Sequence, residues 1–423
     1  MKVCVLTLGC KVNLYESEVI KEQFINNNHE VVDLNNNPDI IIINTCSVTN
    51  QGDSKSRKMI RRAKKINPKS IIVVCGCFAE NHKEDILSLG VDILIGNKDK
   101  SKIISLVNDY YETKKPIIKF YDLNNLEFED MVINNFENRT RGFVKIQDGC
   151  NNYCSYCIIP YMRGRIRSKD INVAYEEIKE LVIKGYKEIV LTGIHTGSYG
   201  SGTDYNLTTL IKKISALDNL KRIRISSIEI TEIDNDFLEE LKNNQKICDH
   251  MHIPLQSGED SVLNMMNRKY NIQEYKEIIK KIRNIRPNIN ITTDVIVGFP
   301  TETEDNFKET IKNIKEIKFG KIHVFPYSKR NGTAAAKMKD IVSSIEKKNR
   351  SKELMNLSLE LEHDYYLKFL NKKVKVLVEE VNDNYSMGYT SNYIKIFINK
   401  KLKPNQEFMG NINLIDKNNV KIL

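Results

Sequence analysis

The chain has 423 residues, 41% of them apolar, and a net charge of +10. That length exceeds what one core supports, so two or three domains are expected. No apolar run is long enough to cross a bilayer and the opening "MKVCVLTLGC" reads as a strand, so neither a membrane span nor a leader peptide is expected, and the default is a cytoplasmic protein. Nine cysteines in that setting argue against a disulfide framework and for metal or redox chemistry.

In chain order, residues 1 to about 110 alternate short β-branched runs with polar periodic stretches. "KVCVLTL", "DIIIINT", "SIIVVC" and "VDILIG" have the composition of buried parallel strands. Helices are expected near 15–27, 53–65 and 80–88, giving an open α/β sheet covered on both faces. Three of the runs end at a cysteine: Cys10, Cys46 and Cys77. Parallel strands deliver their C-terminal ends to one shared edge, so these thiols are either the ligands of a metal cluster or small core residues. "KSRKMIRRAKKINPK", residues 55–69, carries eight Lys or Arg and no acid. It is either a solvated helix face or an RNA contact. Residues 111–140 are polar and read as a linker.

A second series follows. Strands are expected at 144–150, 187–194, 222–229, 250–257, 291–299 and 321–328, most of them separated by amphipathic helices such as "IQEYKEIIKKIRNI". Six βα units in about 190 residues predict a partial (β/α)6 barrel, whose active site belongs at the C-terminal rim. Residues 335–366 read as one long charged helix. From about 370 the alternation turns to short strands, a small β-barrel. Residues 367–423 hold ten Lys against five acids, about half of the net charge. Net charge alone does not separate a polyanionic partner from the Lys-rich composition that AT-rich coding produces.

The motif "GCNNYCSYCIIPYMRGRIRS" places Cys150, Cys154 and Cys157 in a C-x3-C-x2-C spacing just after the first barrel strand. Three thiolates there can hold an iron–sulfur cube with one iron left open to a chelating ligand. A zinc site would want a fourth ligand, and the next histidine, His195, is 38 residues away.

The motif and the βα series resemble the radical S-adenosylmethionine (SAM) superfamily. The resemblance implies that Cys150, Cys154 and Cys157 ligate a 4Fe-4S cluster. It further implies that SAM chelates the open iron and is cleaved by one electron to a 5′-deoxyadenosyl radical. Tyr156, beside Cys157, would shield the cluster; Glu229, at a strand end, would accept hydrogen bonds from the SAM amine or ribose; Gly298 in "DVIVGFP" would pack on the adenine. Arg165 and Arg167 lie close enough in sequence to reach a carboxylate or phosphate, while His195 is either a rim ligand or an ordinary surface residue.

"TLGCKVNLYESE", "NTCSVTNQGDSKSR" and "GCFAE" resemble the N-terminal domain of the methylthiotransferases. In that family Cys10, Cys46 and Cys77 would bind an auxiliary 4Fe-4S cluster whose open iron carries the sulfur to be methylated and inserted. The segment after about 369 resembles the TRAM RNA-binding domain, implying a tRNA substrate, with Lys372, Lys373 and Lys375 on phosphates and Arg61 and Arg62 as a second contact. An electron donor such as flavodoxin or ferredoxin is implied. The expected units are 1–112 (methylthiotransferase N-terminal domain), 136–366 (radical SAM core) and 369–423 (TRAM). "KIQDGCNNYCSYCIIPYMRGRIRS", "LTGIHTGSYG" and "HIPLQSGEDSVLNMMNRKY" resemble the branch acting on N6-threonylcarbamoyladenosine. One departure is Ile230, where that branch implies proline.

Overall fold

The computed structural model describes residues 1–136 and 139–423; residues 137 and 138, which fall in the expected linker, lie outside the described residues. The N-terminal unit is a sheet of six parallel strands, Lys2–Thr7, Glu30–Val31, Ile40–Thr45, Ile71–Gly76, Ile93–Ile95 and Ile117–Lys119, in spatial order 2-1-3-4-5-6. Ile40–Thr45 and Ile71–Gly76 are buried at every position. This is why they read as unbroken apolar runs, because strands covered on both faces need no polar alternation. The strand order reverses between the first and third strands, the switch point at which open α/β sheets bind ligands.

The sixth strand, Ile117–Lys119, pairs with the fifth, and Met131, Ile133 and Phe136 are buried. The segment read as a linker is therefore partly structured. It escapes the sequence pattern because its strand is three residues long and only half covered.

The central unit has six parallel strands, Arg141–Lys145, Glu188–Thr192, Arg222–Ile225, His250–His252, Asn290–Val297 and Lys321–Pro326. They form two hydrogen-bonded groups, 3-2-1 and 4-5-6, which meet where Ile223 bridges Ile247. The result is the expected partial barrel, with helices between successive strands. Several strands are shorter than expected. The first ends at Lys145, after which Gln147–Asp148 leaves the barrel and pairs antiparallel with Arg167–Ser168. The third ends at Ile225, and Glu229 caps a 3-10 turn, Ile230–Glu232. Proline suits the first position of such a turn, and Ile230 fills it as a buried apolar residue.

The long C-terminal helix starts at Ser344, not at 335. Ser343 caps it through Glu346 N–H, and Glu346 returns to Ser343 N–H, so a capping box fixes the start that charge patterning blurs. Residues 373–422 form a curled six-stranded sheet, antiparallel except where Lys395–Ile398 runs parallel to Asn419–Ile422. It is a half-barrel seated on the N-terminal ends of the barrel strands. Arg222 donates to the carbonyls of Tyr389 (2.8 Å) and Lys375 (3.1 Å), Arg224 to Ser391 (3.2 Å) and Asn290 to Asn392 (2.9 Å). No helix among the described residues is long and apolar enough to cross a membrane.

Candidate active site

Cys10 is the N-cap of helix Lys11–Asn26, Cys46 follows Ile40–Thr45, and Cys77 opens helix Cys77–Asn81. The first two flank the switch point of the sheet. Gly9 and Gly76 make the approach possible. A Cβ on Gly9 would stand 2.9 Å from the Cys46 sulfur, and both glycines have φ near +100°. Gly76 also separates Cys75 from Cys77. Strand Ile71–Gly76 keeps Cys75 in the core, its thiol pushed up to about 12 by burial, while the left-handed turn swings Cys77 to the sheet edge. Cys77 begins a helix there.

Cys77 is aimed at the barrel. It packs on Ile158 and Met162 and accepts from Arg163 Nε at 3.4 Å and from Asn97 Nδ2 at 3.6 Å. Arg163 is fully buried, and its other nitrogens reach Asn13 (2.7 Å), Asp148 (3.0 Å) and Glu16 (3.2 Å). Glu16 also meets Lys100 and Lys145, and Asp148 meets Lys145 and Arg167. Four cations thus surround two carboxylates, leaving positive charge beside three thiols that would be thiolates when metal-bound. The cations hold both carboxyls below their usual range against the opposing effect of burial.

The second cysteine group sits on the loop after Asp148. The Cys150 N–H donates to Gly164 O (3.1 Å), and Ser155 is pinned to the carbonyls of Met265 and Met266. Arg268 Nη1 donates to Cys154 at 3.3 Å, and its Nη2 pairs with Glu229. His195 is drawn to this loop too. Burial opposes its protonation, but the neighbouring Cys150 and the Glu232 carboxylate, 2.8 Å from Nε2, outweigh this and raise its pKa to about 10. Tyr156 and Cys157 line a cavity of about 190 Å³ with Asp294, Ile296, Phe325 and, from the N-terminal unit, Val48 and Thr49. Arg330 holds that far wall in place, reaching Ser47 (2.8 Å) and Asp53 (2.9 Å). Cys157 thus faces the inter-domain cavity, and Cys77 packs behind its wall on Ile158, the residue after Cys157.

Other expected residues fall elsewhere. Gly298 is not on this cavity: the stem of Lys347 covers it, and its N–H donates to Glu302 at 2.6 Å. Arg167 is held by Asp148 and the Arg163 carbonyl, and Arg165 is exposed. Lys372, Lys373 and Lys375 are exposed on the C-terminal sheet, and Arg61 and Arg62 on helix Asn50–Ile66.

Residues 144–314 match the family described as "Radical SAM superfamily", and residues 2–96 match "Uncharacterized protein family UPF0004". The threonylcarbamoyladenosine tRNA methylthiotransferase MtaB of Bacillus subtilis (strain 168) is 42% identical over 415 residues, covering 96% of this chain and 91% of the relative. The enzyme of that name from Aquifex aeolicus (strain VF5) is 38% identical over 402 residues, covering 94% and 96%. This chain belongs to the radical SAM methylthiotransferases. A tRNA-2-methylthio-N(6)-dimethylallyladenosine synthase from Endomicrobium trichonymphae is 34% identical over 426 residues, covering 98% and 97%. In fold alone, the chain is similar to the radical SAM methyltransferase TsrM of Kitasatospora setae, at TM-score 0.57 and 12% identity, covering 77% and 72%.

Radical SAM membership implies SAM and a 4Fe-4S cluster, and the donor set beside the cavity fits one: three thiols with an arginine donating to one sulfur. The polar residues beside the thiols that sequence reasoning missed are Arg163, Asn97 and Arg268. Each meets its sulfur 20 or more positions away, so no local spacing announces it.

Proposed function

We propose that this methylthiotransferase replaces the C2 hydrogen of N6-threonylcarbamoyladenosine, just 3′ of the tRNA anticodon, with a methylthio group. The observation that carries the reading is the packing of Cys77, from the N-terminal cysteine group, on Ile158, which follows Cys157 on the wall of the cavity between the N-terminal sheet and the barrel rim. The choice of nucleoside rests on relatives that bear the threonylcarbamoyladenosine name at 36–42% identity, against 34–35% for those named for the dimethylallyl nucleoside.

In this reading Cys150, Cys154 and Cys157 hold the SAM-binding cluster, and Cys10, Cys46 and Cys77 hold a second, auxiliary one. Bound there, the clusters supply the electron for SAM cleavage and the sulfur to be transferred. Arg268 steadies Cys154 and orients Glu229 toward the SAM amine or ribose. Tyr156 covers the Cys157 side and keeps water out. Arg163 and Asn97 donate to Cys77 and favour its thiolate. Lys372, Lys373 and Lys375 hold tRNA phosphates, with Arg61 and Arg62 beside the N-terminal site as a second contact. A flavodoxin- or ferredoxin-type protein delivers the electrons, and the reaction takes place in the cytoplasm.

The test is mass spectrometry of tRNA nucleosides from a strain lacking the gene. The methylthio-threonylcarbamoyl nucleoside should disappear while its unthiolated precursor accumulates. Persistence of the product refutes the assignment, and loss of the dimethylallyl product instead would transfer it to the sister activity.

A further inference from the structure

The last three barrel strands carry a side-chain cluster that neither cysteine group uses. His252 stands opposite Thr292 on the neighbouring strand, and Asp294 stands opposite His323. Thr292 and Asp294 are two positions apart, so they share a face of the sheet, and His252 and His323 share it with them. One nitrogen of each imidazole and one oxygen of the carboxylate all lie within 4.8 Å of one another.

Two ligands about 2.0–2.1 Å from a tetrahedral ion stand about 3.4 Å apart. His252 Nε2 lies 3.3 Å from Asp294 Oδ1. Its other nitrogen, Nδ1, is 3.0 Å from the Thr292 hydroxyl, which also meets His250 Nε2 at 3.1 Å. An imidazole anchored through one nitrogen presents the other in a fixed direction, as metal-bound histidines do. A His252–Asp294 contact on its own would be an ordinary ion pair, but it leaves the third member unexplained. The His323 ring is 5.6 Å from that of His252, is exposed, and makes no hydrogen bond to protein among the described residues. Deeper in the barrel Arg141 is held by Glu379 (2.8 Å) and Arg224 by Glu188 (2.6 Å), so the charge of Asp294 is left to the histidines.

We propose that His252, Asp294 and His323 bind one divalent transition-metal ion, exemplified by zinc, at a site separate from both cysteine groups. Two imidazoles and a carboxylate with no thiol suit zinc, iron(II) or manganese rather than a soft ion. Because His323 is exposed, a side-chain rotation closes its spacing from at most 4.8 Å to about 3.4 Å without moving the strands. Three protein ligands leave a position open. Asp294 also lines the inter-domain cavity, so that position is offered to an oxygen donor of the molecule bound there. The ion would sit there whichever nucleoside the enzyme modifies.

The probe is zinc. Untagged, cluster-reconstituted enzyme is incubated anaerobically with zinc sulfate and dialysed. Zinc and iron per chain and the zinc X-ray absorption spectrum are then measured. Wild type should retain about one zinc with nitrogen or oxygen neighbours at about 2.0–2.1 Å and no sulfur at about 2.3 Å. His323→Ala, a change at an exposed side chain, and Asp294→Asn should each retain almost no zinc while keeping the iron content of wild type. No zinc retained by wild type, zinc bound through sulfur, or a full zinc content in either variant overturns the site. The wild-type spectrum decides even where a variant loses iron. No RNA is present, so failure here leaves the threonylcarbamoyladenosine reading intact, and failure of that reading leaves these outcomes unchanged.

Discussion

Arg163→Met tests the join between the two cysteine groups. Arg163 is fully buried and donates to Glu16, Asp148, Asn13 and the Cys77 sulfur across the two units. Removing one partner from a buried ionic cluster costs about 3–5 kcal/mol, mostly from the charge left behind. Here Lys100, Lys145 and Arg167 still face Glu16 and Asp148, so no carboxylate is stranded. The cost therefore falls at the low end, about 3 kcal/mol, made up of lost charged hydrogen bonds and an unpaired Asn13 oxygen. The positive surplus around the N-terminal thiols also shrinks, so iron should be lost selectively. The assays are the urea midpoint of the metal-free protein and iron per chain after anaerobic reconstitution. A lower midpoint and about half of the roughly eight irons of two four-iron clusters are expected. Arg163→Lys, which keeps the charge but not the fork, should fall between. An unchanged midpoint with full iron would refute the claim that this network holds the units and the thiols together.

Three further outcomes follow from particular residues. Cys75→Ser should leave most iron bound, whereas Cys77→Ser should lose a cluster; the reverse would place the ligand on the strand rather than at the helix start. Glu188 is buried, and although burial opposes it, Arg224 and Arg222 hold its carboxyl below the usual range. That pair contributes stability above the unfolded pKa of about 4.3 and loses it as pH falls through the lower folded value. Glu188→Gln should thus be about 3–5 kcal/mol less stable near neutrality, with the gap closing below about pH 4; parallel midpoint-versus-pH curves would contradict the pairing. Replacing Lys372, Lys373 and Lys375 by Gln should flatten the dependence of log Kd for tRNA on log salt, measured by filter binding, by about 0.7–0.9 for each phosphate that is no longer neutralised. An unchanged slope would remove that face from the RNA path.

What the sequence disclosed depended on how local the signal was. Ile40–Thr45 and Ile71–Gly76 were legible because burial on both faces writes itself as a continuous apolar run. Cys150, Cys154 and Cys157 were legible because their spacing is a chemical constraint within eight residues. Glu229 was singled out as a strand-end acid, although the strand stops at Ile225, and its partner Arg268 was not, because 39 residues separate them. Arg163 lies in the same "MRGRIR" run as Arg165 and Arg167, and nothing in that run says which arginine turns inward; its partner Glu16 is 147 positions away. Gly298 lies off the cavity, under a Lys347 that comes from a distant helix and that no local pattern announces.

The buried ionic network also bears on why the domain join is polar at all. Apolar side chains of similar volume would often hold two domains as firmly, because desolvating charges offsets much of their attraction. Apolar packing, however, tolerates sliding. A network in which Glu16 needs Lys100, Lys145 and Arg163 at once has one satisfactory arrangement. The same arrangement presents Arg163 to the Cys77 sulfur, which packs on Ile158 and Met162. On the proposed reading, sulfur delivery and radical generation at one carbon require two reactive groups held close yet kept from reacting with each other. An apolar contact clamped by a geometry-specific charge network would meet both demands, and Arg163 is the residue common to the network and the Cys77 sulfur.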